Sequence, residues 1–85
     1  MPTVPAKVTD PRAVRAWIER RMVFIELHDE RIVGFPAAGF ARLAAATDEQ
    51  LAAVRIEVEG RALRWEEIDE DITLRGIMEG RVHGP

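Results

Sequence analysis

The residues best able to do chemistry in this chain form one short run. Trp65-Glu66-Glu67-Ile68-Asp69-Glu70-Asp71-Ile72 sets five carboxylates among three large apolar side chains. Three chemistries suit such a run. Hard divalent cations take several carboxylate oxygens, but Asp69, Glu70 and Asp71 are not followed by the Gly and bidentate Glu of a calcium loop. Two carboxylates facing one another across a pocket can do acid/base catalysis, but no spacing here fixes which two would face. An exposed acidic surface can dock a basic partner. Against all three stands a structural reading: Trp65, Ile68 and Ile72 fill the core, and the carboxylates are solvated or favour the N-terminus of a following helix. Charge runs are usually solvated, so this reading carries the most weight and partner docking comes second.

The remaining reactive side chains are sparse. The chain has no Ser, Cys or Tyr, and its hydroxyls are Thr3, Thr9, Thr47 and Thr73. Ser and Cys triads are excluded by composition. Lys7 is the only lysine and lies in the N-terminal stretch, a poor place for Schiff-base chemistry. His28 and His83 are far apart, and neither has a second ligand at metal spacing. The six glycines form neither GxGxxG nor a P-loop. No cofactor and no metal is expected. Trp17 would anchor an interface if exposed, although a buried or half-buried place is the commoner one for tryptophan.

These residues sit in a chain of 85, enough for one domain. Hydrophobic residues make up 47% and charged residues 32%, a globular balance. The lack of cysteine fits a reducing compartment. No apolar run approaches the ~20 residues of a membrane span, and the first ten residues lack signal-peptide blocks. The expectation is a cytoplasmic protein. Net charge is −3 and uneven: residues 1–47 hold seven cations against five anions, residues 48–85 five against ten. That balance disfavours nonspecific nucleic-acid binding, while leaving Arg12, Arg15, Arg20 and Arg21 as one local basic cluster.

The elements follow from pattern. Residues 1–9 read as a loose arm and 81–85 as a tail. Residues 10–21 suit two states: Asp10-Pro11 opens a helix well, yet Val14, Ala16 and Ile18 also alternate as a strand. Residues 22–27 and 31–35 flank the polar break His28-Asp29-Glu30 and predict a β-hairpin, with Val23, Ile25 and Leu27 in the core. Residues 38–46 predict a helix burying Phe40, Leu43 and Ala44. Thr47-Asp48-Glu49-Gln50 has capping-box spacing and starts a second helix reaching about Ala53. Residues 54–59 alternate cleanly, placing Val54, Ile56 and Val58 on one buried face. Residues 62–65 return as a strand, 66–71 read as irregular, and Thr73 caps a last helix ended by Gly80.

Taken together, Phe35-Pro36, Phe40-Ala41-Arg42-Leu43, Ala46-Thr47-Asp48-Glu49-Gln50, Trp65-x-x-Ile68-Asp69-Glu70-Asp71-Ile72 and Ile77-Met78-x-Gly80 resemble the bacterial domain-of-unknown-function family numbered 2442. The likeness spans roughly Val14 to Gly80, and the Trp-to-Ile block is its specific part. There are departures. The family's Asp-Gly-Arg turn is Asp29-Glu30-Arg31 here, which predicts a changed or longer turn. Ala37 replaces a common Leu, and Glu66 replaces a common Pro. The resemblance implies a small α+β fold and a strand over residues 13–19. It implies no reaction and no catalytic residues. It also implies a gene neighbourhood resembling toxin–antitoxin modules.

The expected architecture is therefore α+β, a mainly antiparallel sheet of four to five short strands with two to three short helices, in one domain over residues 1–85. The expected function is a non-enzymatic protein-interaction module, the partner-binding or antitoxin-like half of a two-gene module. Its candidate contact residues are Trp65, Glu67, Asp69, Glu70 and Asp71, with Arg42 from the Arg-Leu motif. The alternative is a nucleic-acid-binding regulator using the N-terminal arginines. Acid/base or metal-assisted chemistry at the acidic run is a third reading. Short strands leave sheet edges, which a homodimer would cover.

Overall fold

The computed structural model describes residues 10–80. The expected arm, the tail, Lys7 and His83 lie outside them. Among the described residues, six strands form two three-stranded antiparallel sheets, β1-β2-β3 and β4-β5-β6, accompanied by three short helices. The fold is α+β as expected, with one strand more than the upper count and two sheets rather than one.

β1 (Ala13–Glu19) resolves the ambiguity of residues 10–21 in favour of a strand. It pairs with β2 (Met22–Leu27), which pairs with β3 (Ile32–Pro36). Val23, Ile25 and Leu27 are fully buried, so β2 presents the expected inner face. Each such burial contributes about 1.5–3 kcal/mol. The β1–β2 turn is only two residues long, because Glu19 pairs with Met22. A right-handed sheet twist selects a turn with both central residues left-handed, and Arg20 (φ 52) and Arg21 (φ 62) adopt it without glycine or asparagine. The β2–β3 turn, expected to change or lengthen without the glycine, is closed by the Glu30 N–H, which donates to the Leu27 carbonyl at 2.9 Å. Glu30 takes the left-handed conformation itself, at φ 75, and the Asp29 carboxylate accepts from the Arg31 N–H at 3.1 Å.

The expected helix over 38–46 is shorter and broken. Ala37–Gly39 make a 3-10 turn, Phe40 is extended (φ −129, ψ 126), and only α1 (Ala41–Ala44) is α-helical. Phe40 breaks the helix because its ring packs edge-on against Phe35 at 5.3 Å inside the core. The break rotates the following residues, so Ala46 is buried and Ala44 is exposed. α2 (Asp48–Ala52) starts as expected, with both bonds of the capping box formed between Thr47 and Gln50.

β4 covers only Arg55–Glu57. The alternation of residues 54–59 fails at Val58, which is 63% exposed. Val58, Glu59 and Gly60 all have positive φ and turn the chain away. Gly60 lies against β1: a Cβ there would stand 2.9 Å from the Ala13 carbonyl oxygen. β5 (Ala62–Trp65) returns as expected. The segment read as irregular holds a strand, β6 (Glu70–Thr73), whose partners run from Trp65–Glu70 to Ala62–Thr73. Glu70 and Asp71 are poor strand formers, but pairing Asp71 with Arg64 and Ile72 with Leu63 offsets that. α3 (Leu74–Met78) follows directly, capped by the Thr73 hydroxyl, which accepts from the Gly76 N–H at 3.0 Å. Both sheets and all three helices contribute to one buried apolar cluster.

Candidate functional site

The acidic run wraps the turn between β5 and β6. Trp65 is only 1% exposed, and its indole N–H donates to the Leu51 carbonyl at 3.0 Å, tying the second sheet to α2. Its place is therefore beneath the surface, where it positions the turn. Above it, one guanidinium organises the carboxylates. Arg64 donates to Glu66 Oε1 at 2.9 Å, Asp69 Oδ1 at 3.0 Å and Asp71 Oδ2 at 2.8 Å. Those three bonds hold the guanidinium well above its ordinary pKa. Arg42 reaches across from α1 and donates to the Asp69 carbonyl at 2.8 Å. That bond sits on a residue with left-handed backbone, φ 54. Gln50 of α2 donates to Glu67 Oε2 at 3.2 Å.

The structure thus brings Trp65, Arg42, Glu67, Asp69 and Asp71 into one region, with Glu70 starting β6 opposite Trp65. The turn is a braced acidic ridge with exposed Glu66, Glu67, Asp69 and Asp71. Among the described residues, no three His, Cys, Asp or Glu side chains gather as a metal site. His28 is exposed in its turn.

The four N-terminal arginines do not converge. Arg12 precedes β1 and bonds Asp10 at 3.2 Å, whereas Arg20 and Arg21 follow the strand's far end. Seven residues of strand separate those ends by roughly 23 Å. Arg15 is paired with Glu26 at 3.1 Å. Arg21 turns back onto the helices, donating to Asp48 at 2.8 Å and to the carbonyls of Leu43, Ala44 and Ala46 at 3.0 to 3.3 Å. It adds a donor to the carbonyls at and just beyond the C-terminus of α1, a structural task.

A second surface is the outer face of the first sheet. Trp17 and Phe24 are direct cross-strand partners there, with stacked rings 5.7 Å apart. The Arg15 guanidinium lies over the Trp17 ring at 4.2 Å. Phe24 is in turn opposite Gly34, so the ring lies over a residue with no side chain. Ile32 is 58% exposed on the same face, and Pro36 is exposed at its end. The sequence carried a signal for this face. Once Val23, Ile25 and Leu27 point inward, the period of two sends Met22 and Phe24 outward. The Trp17 phase stayed open only because residues 10–21 fitted two states.

No helix among the described residues is long and apolar enough to cross a membrane. No curated protein matches this chain. Two solved structures share its fold. A protein of unknown function from Rhodospirillum rubrum, known from a crystal structure, is 35% identical, with a TM-score of 0.81 over 91% of this chain and 94% of that one. An uncharacterised protein from Chromobacterium violaceum, solved by solution NMR, is 24% identical, with a TM-score of 0.74 over 86% of this chain and 69% of that one. The model of one family, described as protein of unknown function (DUF2442), matches residues 12–83 and so takes in both sheets, the braced acidic turn and the aromatic face. That match covers most of the chain, the Trp-to-Ile block included, and this chain belongs to the DUF2442 family.

Proposed function

We propose that the protein is a non-enzymatic interaction module that docks a protein partner through the outer face of its first sheet. The observation that carries this reading is the Trp17–Phe24 stack on the solvent side of the sheet, roofed by Arg15 and given room by Gly34. Aromatic and arginine side chains are the groups that supply most binding energy at protein interfaces. Here they are already ordered against one another, which lowers the entropy cost of binding. The cations and anions around the stack balance, Arg15 and Arg20 against Glu19 and Glu26, which suits a protein surface better than a phosphate backbone. The gene neighbourhood implied by the family resemblance makes the neighbouring gene product the first partner to try, with this chain as its antitoxin-like half.

A second docking surface is favoured by the bracing of the acidic turn. Arg64, Arg42 and Gln50 hold Glu66, Glu67, Asp69 and Asp71 in a fixed array, ready for a basic partner. Co-purification of the chain with the neighbouring gene product tests both surfaces. Trp17→Ser or Phe24→Ser is expected to abolish the complex, while Asp69→Ala and Asp71→Ala leave it. Loss only in the two aspartate variants moves the site to the acidic turn. A complex that never forms, or that survives all four changes, sinks the proposal.

A further inference from the structure

Three chain segments converge beside the first turn of α3. Gly60 lies so close to the start of β1 that a Cβ on it would stand 3.1 Å from the Arg12 Cβ, which brings residues 10–12 against the start of β5. The Arg61 carbonyl accepts from the Leu74 N–H at 2.9 Å, which brings the end of β6 and the first turn of α3 to the same place. Between the three segments lies a pocket of about 290 Å³, lined among the described residues by Asp10, Pro11, Arg61, Thr73 and Arg75. That volume is at the small end of ligand sites.

The lining carries two guanidinium groups and one carboxylate. This is a local reversal of sign, because residues 48–85 hold five cations against ten anions. The carboxylate does not use up the cations. Asp10 accepts from Arg61 Nε at 3.0 Å and from Arg61 Nη2 at 3.1 Å, and Glu59 accepts from Arg61 Nη1 at 3.3 Å. A guanidinium has five N–H groups, so these three bonds leave two for a ligand. The same bonds fix the Arg61 side chain in place, so its remaining donors need little ordering on binding. The Thr73 hydroxyl accepts from the Gly76 N–H and keeps its own proton to donate. Arg75 brings the second guanidinium from α3, and buried Pro11 gives the pocket an apolar wall.

We propose that this pocket binds a small oxyanion, a carboxylate or phosphate group on a short apolar body, held between Arg61 and Arg75 with the Thr73 hydroxyl as a third donor. Arginine forks match the paired oxygens of carboxylates and phosphates. Asp10 is a positioning residue here, because it presents Arg61 to the ligand. The proposal goes beyond partner docking and does not rest on it, because no residue of the pocket belongs to the outer face of the first sheet.

The test is an NMR titration of the full chain with inorganic phosphate and with acetate, at neutral pH and constant ionic strength. The expected result is a saturable shift of the Arg61, Thr73 and Arg75 amides with a Kd of about 1–10 mM for at least one of the two anions. Saturation by phosphate alone assigns the pocket to phosphate monoesters, and by acetate alone to carboxylates; saturation by both supports the shared oxyanion chemistry. Arg75→Gln weakens binding about tenfold, the worth of one charged hydrogen bond. Arg55→Gln, outside the pocket, leaves it unchanged. No saturable shift up to about 50 mM of either anion overturns the proposal. So does binding that Arg75→Gln leaves intact, or shifts spread evenly over arginines across the surface. The wild-type titrations decide the matter even where a variant fails to fold.

Discussion

The ring of Phe24 lies over Gly34 so closely that a Cβ on the glycine would stand 2.8 Å from both Cδ1 and Cε1. The glycine is what lets the ring lie flat and meet Trp17. Gly34→Ala should push Phe24 off the sheet and break the stack. The expected cost is about 1 kcal/mol, the worth of an aromatic pair. Thermal denaturation measures it, and a change in tryptophan near-UV circular dichroism reports the lost stack. An unchanged spectrum would show that the stack does not depend on the glycine.

Arg21 separates the structural reading of the N-terminal arginines from the nucleic-acid one. Its guanidinium serves Asp48 and three carbonyls at and just beyond the end of α1. Arg21→Ala should destabilise the fold by about 1–3 kcal/mol, since charged hydrogen bonds are lost and carbonyls are left open. Arg21→Lys should recover only part of this, because a point ammonium cannot fork among four acceptors. Arg20→Ala should cost little. Chemical denaturation of the three variants checks the order.

Trp65→Phe keeps the aromatic bulk and removes the indole donor. The Leu51 carbonyl then keeps the backbone N–H groups at the end of α2, that of Val54 at 3.3 Å and that of Ala53. The expected loss is about 1–2 kcal/mol, and hydrogen exchange should loosen first where α2 meets β5. A melting temperature equal to that of the wild type would show that the indole bond contributes nothing to stability.

Periodicity found what depends on one face being wet and the other dry. The strand β2 was legible for that reason, and the caps at Thr47 and Thr73 were legible because a cap is a local side-chain-to-backbone bond set by residue type and spacing. Three features were not. The two-residue turn at Arg20-Arg21 uses no turn-forming residue; its stabilisation comes from side-chain bonds to α1 and Asp48, more than twenty residues away. Val58 fits a strand pattern but lies where the chain must swing so that Gly60 can touch Ala13. β6 begins with two poor strand formers, Glu70 and Asp71, which are held by pairing with β5. Of the candidate site, the acidic turn was visible as composition, yet its bracing by Arg64 and Arg42 depends on long-range placement. The aromatic face depended on the phase of β1, which pattern alone left open.

Glu30 holds a left-handed backbone at φ 75 with a full side chain. Such a conformation costs a non-glycine residue about 1–2 kcal/mol. Glu30→Gly should therefore stabilise the isolated chain by about 1 kcal/mol, seen as a raised denaturation midpoint with an unchanged slope. A fall in stability would mean that the Glu30 side chain contributes more than its backbone strain costs.

Two carboxylates should shape the acid limb of stability. The Arg61 side-chain hydrogen bonds, chiefly, and those of Arg12 hold Asp10 below its ordinary pKa, against a smaller opposing effect of desolvation. Asp29 is lowered first by the Arg31 backbone N–H and then by the Arg31 guanidinium. A carboxylate whose pKa is lower folded than unfolded binds fewer protons in the folded state, so stability falls as the pH is lowered. Its contribution is full above the unfolded value near 4 and disappears as pH drops through the folded value. Melting temperatures measured from pH 6 down to pH 2 should show that loss beginning near pH 4 to 5. Asp10→Asn should flatten the limb while lowering stability at neutral pH. Both groups are exposed, so salt should shrink the effect. An acid limb that keeps its slope in Asp10→Asn would mean that other carboxylates set it.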